Sequence, residues 1–129
     1  MSALRDTATE AGTVAHFEGV ETVFYQVCSM DKAVAFYRDV LGLELARREG
    51  NDWAEFRVGS VDLALSGELA VAPQQGGATV VLRTPDIEAL DAHLAGCGVR
   101  RGRIEDLGGA RMLDFYDPDG NQLVAMQAL

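Results

Sequence analysis

The chain contains one order of elements twice, and this repeat restricts its fold more than any other feature. Each copy begins with an alternating strand, continues into an amphipathic helix and ends in three short strands, at about residues 20–66 and 78–127. The same shift along the sequence brings Thr22 onto Thr79 and Met30 onto Ile87. Residue character that recurs at a fixed spacing indicates a duplicated supersecondary unit. The sequence therefore predicts an α+β fold made of two βαβββ modules.

The first copy shows the period of a strand and then that of a helix. Apolar side chains alternate over residues 23–27, as in a strand with one buried face. Ser29 is placed to cap a helix that runs to about Leu41, and Gly42 supplies the stop. Glycine-containing turns then separate three predicted strands, near residues 43–48, 53–58 and 61–66.

The second copy repeats this order after a linker at residues 67–77. A strand at 78–83 leads to Thr84, the predicted N-cap, and to Pro85 at the first helical position. Gly98 ends the helix. The remaining strands are predicted near residues 99–104, 111–116 and 122–127, with the turn Asp117-Pro118-Asp119-Gly120-Asn121 between the last two.

Length and composition indicate one folded domain. A chain of 129 residues with 48% hydrophobic residues is long enough for one core and too short for two. Residues 1–19 lack sustained periodicity, so we predict a flexible N-terminal tail, and we place the domain at residues 20–129.

The charge balance excludes some classes of partner. With 20 acidic and 11 basic residues, the chain has no basic stripe to bind a nucleic acid or an anionic membrane. It also has no apolar run that would span a bilayer and no secretory signal at its N-terminus, which predicts a cytoplasmic protein. Cys28 and Cys97 form neither a disulfide framework nor a zinc motif, and we expect both to be buried thiols.

The repeat also predicts where a ligand would bind. One helix covers only one face of a four-stranded sheet, so the other face of each module needs a partner. Two modules can form a curved, barrel-like mixed sheet with the helices outside and a cleft on the concave side. Strand alternation assigns the following residues to the helix side: Val23, Tyr25, Val27, Phe56, Val58, Leu63, Leu65, Val80, Leu82, Leu113, Phe115, Leu123 and Ala125.

Two segments carry a resemblance to a known family. VCSMDKAVAFYRDVLGLEL, together with FYDPDGNQLV, resembles the vicinal oxygen chelate superfamily, which includes glyoxalase I, extradiol dioxygenases, fosfomycin-resistance enzymes and bleomycin-resistance proteins. The resemblance covers about residues 20–127. It implies the paired-module fold, whereas function varies within the family from metalloenzymes to metal-free drug binders.

The resemblance also identifies where a metal would be held. Metal-dependent members place His, Glu or Gln on the first, fourth, fifth and eighth strands, and the matching positions here are Thr22, Ala64, Thr79 and Val124. Threonine, alanine and valine do not supply the nitrogen, sulfur or carboxylate ligands of a divalent metal. We therefore expect no metal and no other cofactor.

Side chains on the cleft side form the predicted binding site. Aromatic faces with a few charges suit a planar or amphipathic organic molecule. The candidate ligand-binding residues are Phe24, Gln26, Trp53, Glu55, Arg57, Arg83, Asp114 and Tyr116. Glu55 and Asp114 are also candidate general bases, although the charged members can equally pair with one another across strands.

Three functions fit these features. The first is a protein that binds an aromatic or amphipathic metabolite or antibiotic in the cleft, which a homodimer completes. The second is a lyase, isomerase or dioxygenase of the same superfamily that uses cleft carboxylates or relocated metal ligands. The third is an interaction module whose cleft is closed by Phe24 and Trp53. The sequence leaves open whether modules pair within one chain or across a dimer.

Overall fold

Both predicted modules are present in the computed structural model, which describes His16 and residues 22–67 and 79–129. The first module consists of β1 (Val23–Gln26), α1 (Met30–Ala35), a π-helical turn (Phe36–Val40), β2 (Glu44–Glu49), β3 (Trp53–Val58) and β4 (Val61–Ser66). The second consists of β5 (Val80–Arg83), α2 (Ile87–Gly96), β6 (Glu105–Asp106), β7 (Ala110–Tyr116) and β8 (Gln122–Ala128). The predicted tail, apart from His16, and residues 68–77 of the predicted linker lie outside the described residues.

The two sheets have the same topology. Their strand orders are β1-β4-β3-β2 and β5-β8-β7-β6, and in each sheet the first pair is parallel and the others are antiparallel. The sheets are curved and do not close into a barrel. This confirms the α+β fold of two βαβββ modules. None of the helices within the described ranges is long and apolar enough to cross a membrane.

The first helix begins where the sequence predicts and then widens. The Ser29 side chain accepts a hydrogen bond from the backbone N–H of Lys32, as expected of an N-cap. From Phe36 onward the helix is π-helical, and the N–H of Leu41 donates to the carbonyl of Phe36 at 3.0 Å. Both aromatic residues of this turn, Phe36 and Tyr37, are buried. The predicted helix is therefore right in extent, but its last turn has a different geometry.

The predicted cap of the second helix is wrong by two residues. Asp86 is the N-cap of α2, and its Oδ1 accepts a hydrogen bond from the N–H of Ala89 at 3.0 Å. Thr84 and Pro85 both precede the helix. An aspartate caps as well as or better than a threonine, so residue type alone does not favour Thr84 over Asp86.

The strand predicted at residues 99–104 is also wrong. Only Glu105 and Asp106 pair with β7 as a strand, although an isolated bridge joins Arg101 to Phe115. Between these two contacts the segment contains one residue more than β7, which makes a bulge. Gly102 lies within it, and a Cβ at this position would overlap the carboxylate of Asp114.

The core lies on the helix-covered faces of the sheets and is shared by both modules. One cluster of buried side chains includes Phe56 and Leu65 from the first sheet and Leu113 and Phe115 from the second. The predicted helix-facing side is thus largely confirmed. Val23 is the exception, because it begins an edge strand and is 38% exposed.

The prediction of buried cysteines is wrong for both residues. Cys28 and Cys97 are exposed free thiols. Cys28 lies in the turn between β1 and α1, where its backbone N–H donates to Asp119. Cys97 is the C-cap of α2, beyond the last buried residue of that helix, Leu94. Both positions follow an element instead of lying inside it.

Candidate functional site

Each sheet has one face that its own helix does not cover. We call the uncovered face of the first sheet the first open face and that of the second sheet the second open face. The first open face holds five of the candidate residues: Phe24, Gln26, Trp53, Glu55 and Arg57. The second open face holds the other three: Arg83, Asp114 and Tyr116.

An aromatic pair dominates the first open face. The ring centroids of Phe24 and Trp53 are 5.6 Å apart and the planes are tilted by 57°. Phe24 is 42% exposed, and Trp53 is half-buried. Ala64 and Ser66, on β4 between the two strands that carry the rings, have small buried side chains. The face is therefore an exposed aromatic surface, and Phe24 and Trp53 do not close it.

Glu55 is held by two hydrogen-bond donors. Arg47 Nη2 donates to its Oε2 at 2.8 Å, and the indole N–H of Trp53 donates to the same oxygen at 2.7 Å. The hydrogen bond from Arg47, followed by that from Trp53, lowers the pKa of the Glu55 carboxyl below its usual value. A general base works best with a pKa near the working pH. The arrangement thus disfavours Glu55 as a base and fixes the Trp53 ring instead.

Sequence reasoning missed the part that Arg47 plays. Arg47 is not among the candidate residues, whereas β2 places it opposite Glu55 in the antiparallel register with β3. Arg47 also forms an ion pair with Glu49. The alternation along β2 would have indicated the face on which Arg47 lies, but its partner depends on a register shift between Leu45 and Arg47.

Gln26 carries an unused acceptor beside the aromatic pair. Its Oε1 is buried and accepts no hydrogen bond from any residue that the structure describes. Its register partner on β4 is Ser66, which in turn is the register partner of Trp53 on β3. A buried polar atom without a partner destabilises the folded chain unless a donor reaches it. Arg57, at the other end of β3, pairs with Asp62 at 2.7 Å.

The second open face combines a tyrosine, a carboxylate and two arginines. Tyr116 Oη donates to Asp114 Oδ2 at 3.0 Å, and this hydrogen bond raises the pKa of the tyrosine. The guanidinium of Arg100 lies 3.9 Å from the centre of the Tyr116 ring. Arg83 has no carboxylate partner among residues 22–67 and 79–129. Arg100 is not among the candidate residues predicted from the sequence, because its contact with the Tyr116 ring depends on the bulge opposite β7.

The structure does not bring the two groups of candidates together. Within the described part of the chain, no side-chain hydrogen bond, ion pair or aromatic contact joins one open face to the other. The predicted pairing of the four charged candidates with one another is therefore wrong. Glu55 pairs with Arg47, Arg57 with Asp62, and Asp114 accepts from Tyr116.

The family's metal positions do not fit a metal here. Thr22 and Thr79 are exposed, Ala64 is buried and Val124 is half-buried. None of the four side chains offers an imidazole, thiolate or carboxylate ligand. Elsewhere in the described residues, no three His, Cys, Asp or Glu side chains are grouped so that they could hold a metal ion.

Comparison with known proteins places this fold among relatives with different activities. The family model of the Glyoxalase/Bleomycin resistance protein/Dioxygenase superfamily matches residues 13–124. The metallothiol transferase FosB of Staphylococcus epidermidis is 26% identical over 113 residues, which is 82% of this chain and 81% of that protein.

Solved structures show the same fold. The bleomycin resistance determinant encoded on the transposon Tn5 superposes with a TM-score of 0.69 at 22% identity, over 86% of this chain and 98% of that one. The fosfomycin resistance protein FosX from Listeria monocytogenes gives a TM-score of 0.73 at 14% identity, over 88% and 95%. At these identities the likeness concerns the fold alone.

Proposed function

This chain belongs to the glyoxalase/bleomycin resistance protein/dioxygenase superfamily, and from that premise we propose that it is a metal-free protein that binds a small aromatic or amphipathic metabolite or antibiotic. The observation that carries the proposal is the pair of Phe24, which is exposed, and Trp53, which is half-buried, on the first open face. Aromatic rings stack on such surfaces with a favourable energy of about 0.5–1.5 kcal/mol beyond the burial of their area. Glu55 and Arg47 hold Trp53 in place, which lowers the cost of ordering it on binding.

The side chains at the family's metal positions support the metal-free part of the proposal. A divalent metal needs several donors that converge at about 2.0–2.3 Å. Thr22, Ala64, Thr79 and Val124 supply none of the usual donor groups. Binding at the first open face would therefore rest on aromatic stacking, on the unused Gln26 acceptor and on the charge of Arg57.

Similarity to a metallothiol transferase favours one second candidate, an enzyme of the same superfamily with relocated metal ligands. This candidate predicts near-stoichiometric metal in protein purified without chelators. Metal-free acid–base catalysis is less well supported, because Glu55 already accepts hydrogen bonds from Arg47 and Trp53, and Asp114 accepts one from Tyr116.

We further propose that a second copy of the chain covers the open faces in a cytoplasmic homodimer. Phe24 and Val81 are large apolar residues on the two faces, and they are 42% and 49% exposed. A binding cleft needs walls on both sides to remove most of a ligand from water. The two exposed cysteines, both free thiols, support a reducing compartment.

A thermal-shift titration with bleomycin, fosfomycin and a panel of aromatic antibiotics and metabolites tests the binding proposal. A ligand that binds the native state raises the melting temperature as its concentration increases. We expect at least one aromatic compound to do so, and we expect Phe24→Ala to weaken its binding about tenfold. Val61→Ala is the matched control, because Val61 is 58% exposed and points to the helix-facing side of β4. No shift with any compound, or equal effects of both variants, would contradict the proposal.

A further inference from the structure

A cavity of about 410 Å³ lies where the two modules meet, outside the first open face. It is bounded by the π-helical turn of the first module, the loop after α2 and the turn between β7 and β8. Phe36, Val40 and Val99 contribute apolar side chains to its wall. Arg100 and Tyr116 contribute the polar side, and Cys97 also borders it. Its volume is within the range of small-molecule sites, about 300–1,000 Å³.

Arg100 is the charged group of this cavity with unused hydrogen-bonding capacity. Its guanidinium lies over the Tyr116 ring, and no carboxylate pairs with it in the portion of the chain that the structure describes. Most other arginines there have such a partner: Arg38, Arg47, Arg48, Arg57, Arg101 and Arg111. A guanidinium stacked on an aromatic ring keeps its N–H groups at the edge, where they can bind a carboxylate with two parallel hydrogen bonds.

The one acidic residue of the wall is already satisfied. Asp117 Oδ1 accepts hydrogen bonds from the backbone N–H groups of Asp119 and Asn121. Its Oδ2 accepts from Tyr37 Oη and from Asn121 Nδ2. Because this carboxylate already accepts four hydrogen bonds, Asp117 does not pair with Arg100.

We propose that this cavity is a second binding site, distinct from the first open face, for a small aromatic or branched aliphatic carboxylate. The apolar part of the ligand packs against Phe36, Val40 and Val99, and its carboxylate pairs with the guanidinium of Arg100. A neutral ligand of the same shape fills the same walls but leaves Arg100 unpaired. The site therefore selects for the anion.

Protection of Cys97 from alkylation tests this site directly, because Cys97 borders the cavity and is exposed. Cys28→Ser removes the only other cysteine of the chain. The rate of iodoacetamide labelling is then measured with increasing 2-naphthoate, and separately with its neutral analogue 2-naphthamide. We expect saturable protection by 2-naphthoate, with half-protection at a concentration at least tenfold lower than for 2-naphthamide.

Three variants in the Cys28→Ser background test whether Arg100 is the arginine that binds the carboxylate. Arg100→Gln should abolish the preference for the carboxylate, whereas Arg103→Gln, which removes the same charge outside the cavity wall, should leave it unchanged. Arg100→Lys, which keeps the charge but not the planar fork, should give an intermediate preference. Equal protection by both ligands, protection by neither, or equal effects of Arg100→Gln and Arg103→Gln would overturn the proposal. Because the readout is at Cys97, these results are independent of binding at Phe24 and Trp53.

Discussion

Glu55 has the character of a positioning residue for Trp53. Two donors, Arg47 and the indole N–H, converge on one of its oxygens. A carboxylate with occupied lone pairs and a lowered pKa does not readily take a proton from a ligand near neutral pH. Its effect on binding is instead to fix the plane of the ring that the ligand would contact.

This part can be tested through the pH dependence of Trp53. Because the folded-state pKa of Glu55 is lowered, the carboxylate stays ionised as the pH falls to the ordinary value of about 4.3 and is protonated only below it. The indole N–H proton resonance of Trp53, the single tryptophan, should therefore titrate with a midpoint below that of a glutamate in an unstructured peptide. Glu55→Gln should remove the titration. A midpoint at or above that of the peptide glutamate would contradict the geometry.

Asp117 connects the modules at their junction. It belongs to the second module, is 5% exposed and accepts a hydrogen bond from Tyr37 of the first at 2.9 Å. The amide of Asn121 joins the same group and also donates to the backbone carbonyl of Gln26. This network fixes the end of β1, where Gln26 of the first open face lies.

Asp117→Asn should lower the free energy of unfolding by about 2–3 kcal/mol. The amide nitrogen would face donors, so at least one buried N–H or O–H group would lose its acceptor. Denaturant unfolding of the two proteins measures the difference. Asp106→Asn is the control, because Asp106 pairs with Arg111 at the surface and its loss should cost less than about 1 kcal/mol. Equal losses of stability in the two variants would show that the hydrogen bonds of Asp117 do not stabilise the junction between the modules.

The residues of the open faces were predictable from strand alternation, but their partners were not. Phe24, Trp53 and Glu55 share a face because side chains alternate along a strand. Arg47 and Arg100 reach Glu55 and Tyr116 only because of a register shift in β2 and a bulge before β6. The register shift leaves no clear signal in residue type, and Gly102 in the bulge does not by itself indicate that Arg100 would contact Tyr116, so these contacts required the three-dimensional structure.

At the level of whole elements, the sequence predicts the bounds of a strand accurately where clear turn signals flank it. The strands β3 and β4 have the predicted bounds, since glycine-containing turns flank them on both sides. The segment at 99–104 lies where the repeat calls for a strand but contains Gly102, whose lack of a side chain lets the chain approach Asp114 closely. Local pattern alone does not distinguish such a bulged edge from a regular strand.

The start of α2 provides a prediction for one element. Asp86→Ala should destabilise the protein by about 1 kcal/mol, because the N–H of Ala89 loses its acceptor. Thr84→Ala should have a smaller effect, since the hydroxyl of Thr84 lies before the helix and accepts only a 3.4 Å bond from Asp86. Chemical denaturation of both variants tests this. A larger loss of stability for Thr84→Ala than for Asp86→Ala would contradict Asp86 as the N-cap and favour Thr84, as the sequence predicts.

Across the whole molecule, the repeat in the sequence was sufficient to predict the two modules but not how they meet. Buried side chains of both modules form one cluster on the helix-covered faces. The open faces remain uncovered within the described chain, and apolar residues such as Phe24 and Val81 are exposed there. These two exposed side chains are the basis of the proposed homodimer.

The proposed homodimer gives a prediction at this scale. Wild-type protein should sediment as a dimer at micromolar concentration, and Val81→Arg should shift it toward the monomer, because a buried unpaired charge is strongly unfavourable at an interface. Val61→Arg should leave the dimer intact, since Val61 lies away from the open faces. A monomeric wild type, or equal dissociation by both variants, would contradict the proposed assembly.

The measurement that tests the central claim most directly is a binding titration of metal-stripped protein. The ligand identified by thermal shift is titrated into protein treated with a chelator and verified as free of divalent metal, with Trp53 fluorescence and calorimetry as readouts. The account predicts the same saturable affinity as for untreated protein, because stacking on Phe24 and Trp53 needs no metal. Binding that disappears on metal removal and returns with added zinc, nickel, iron or manganese would contradict it.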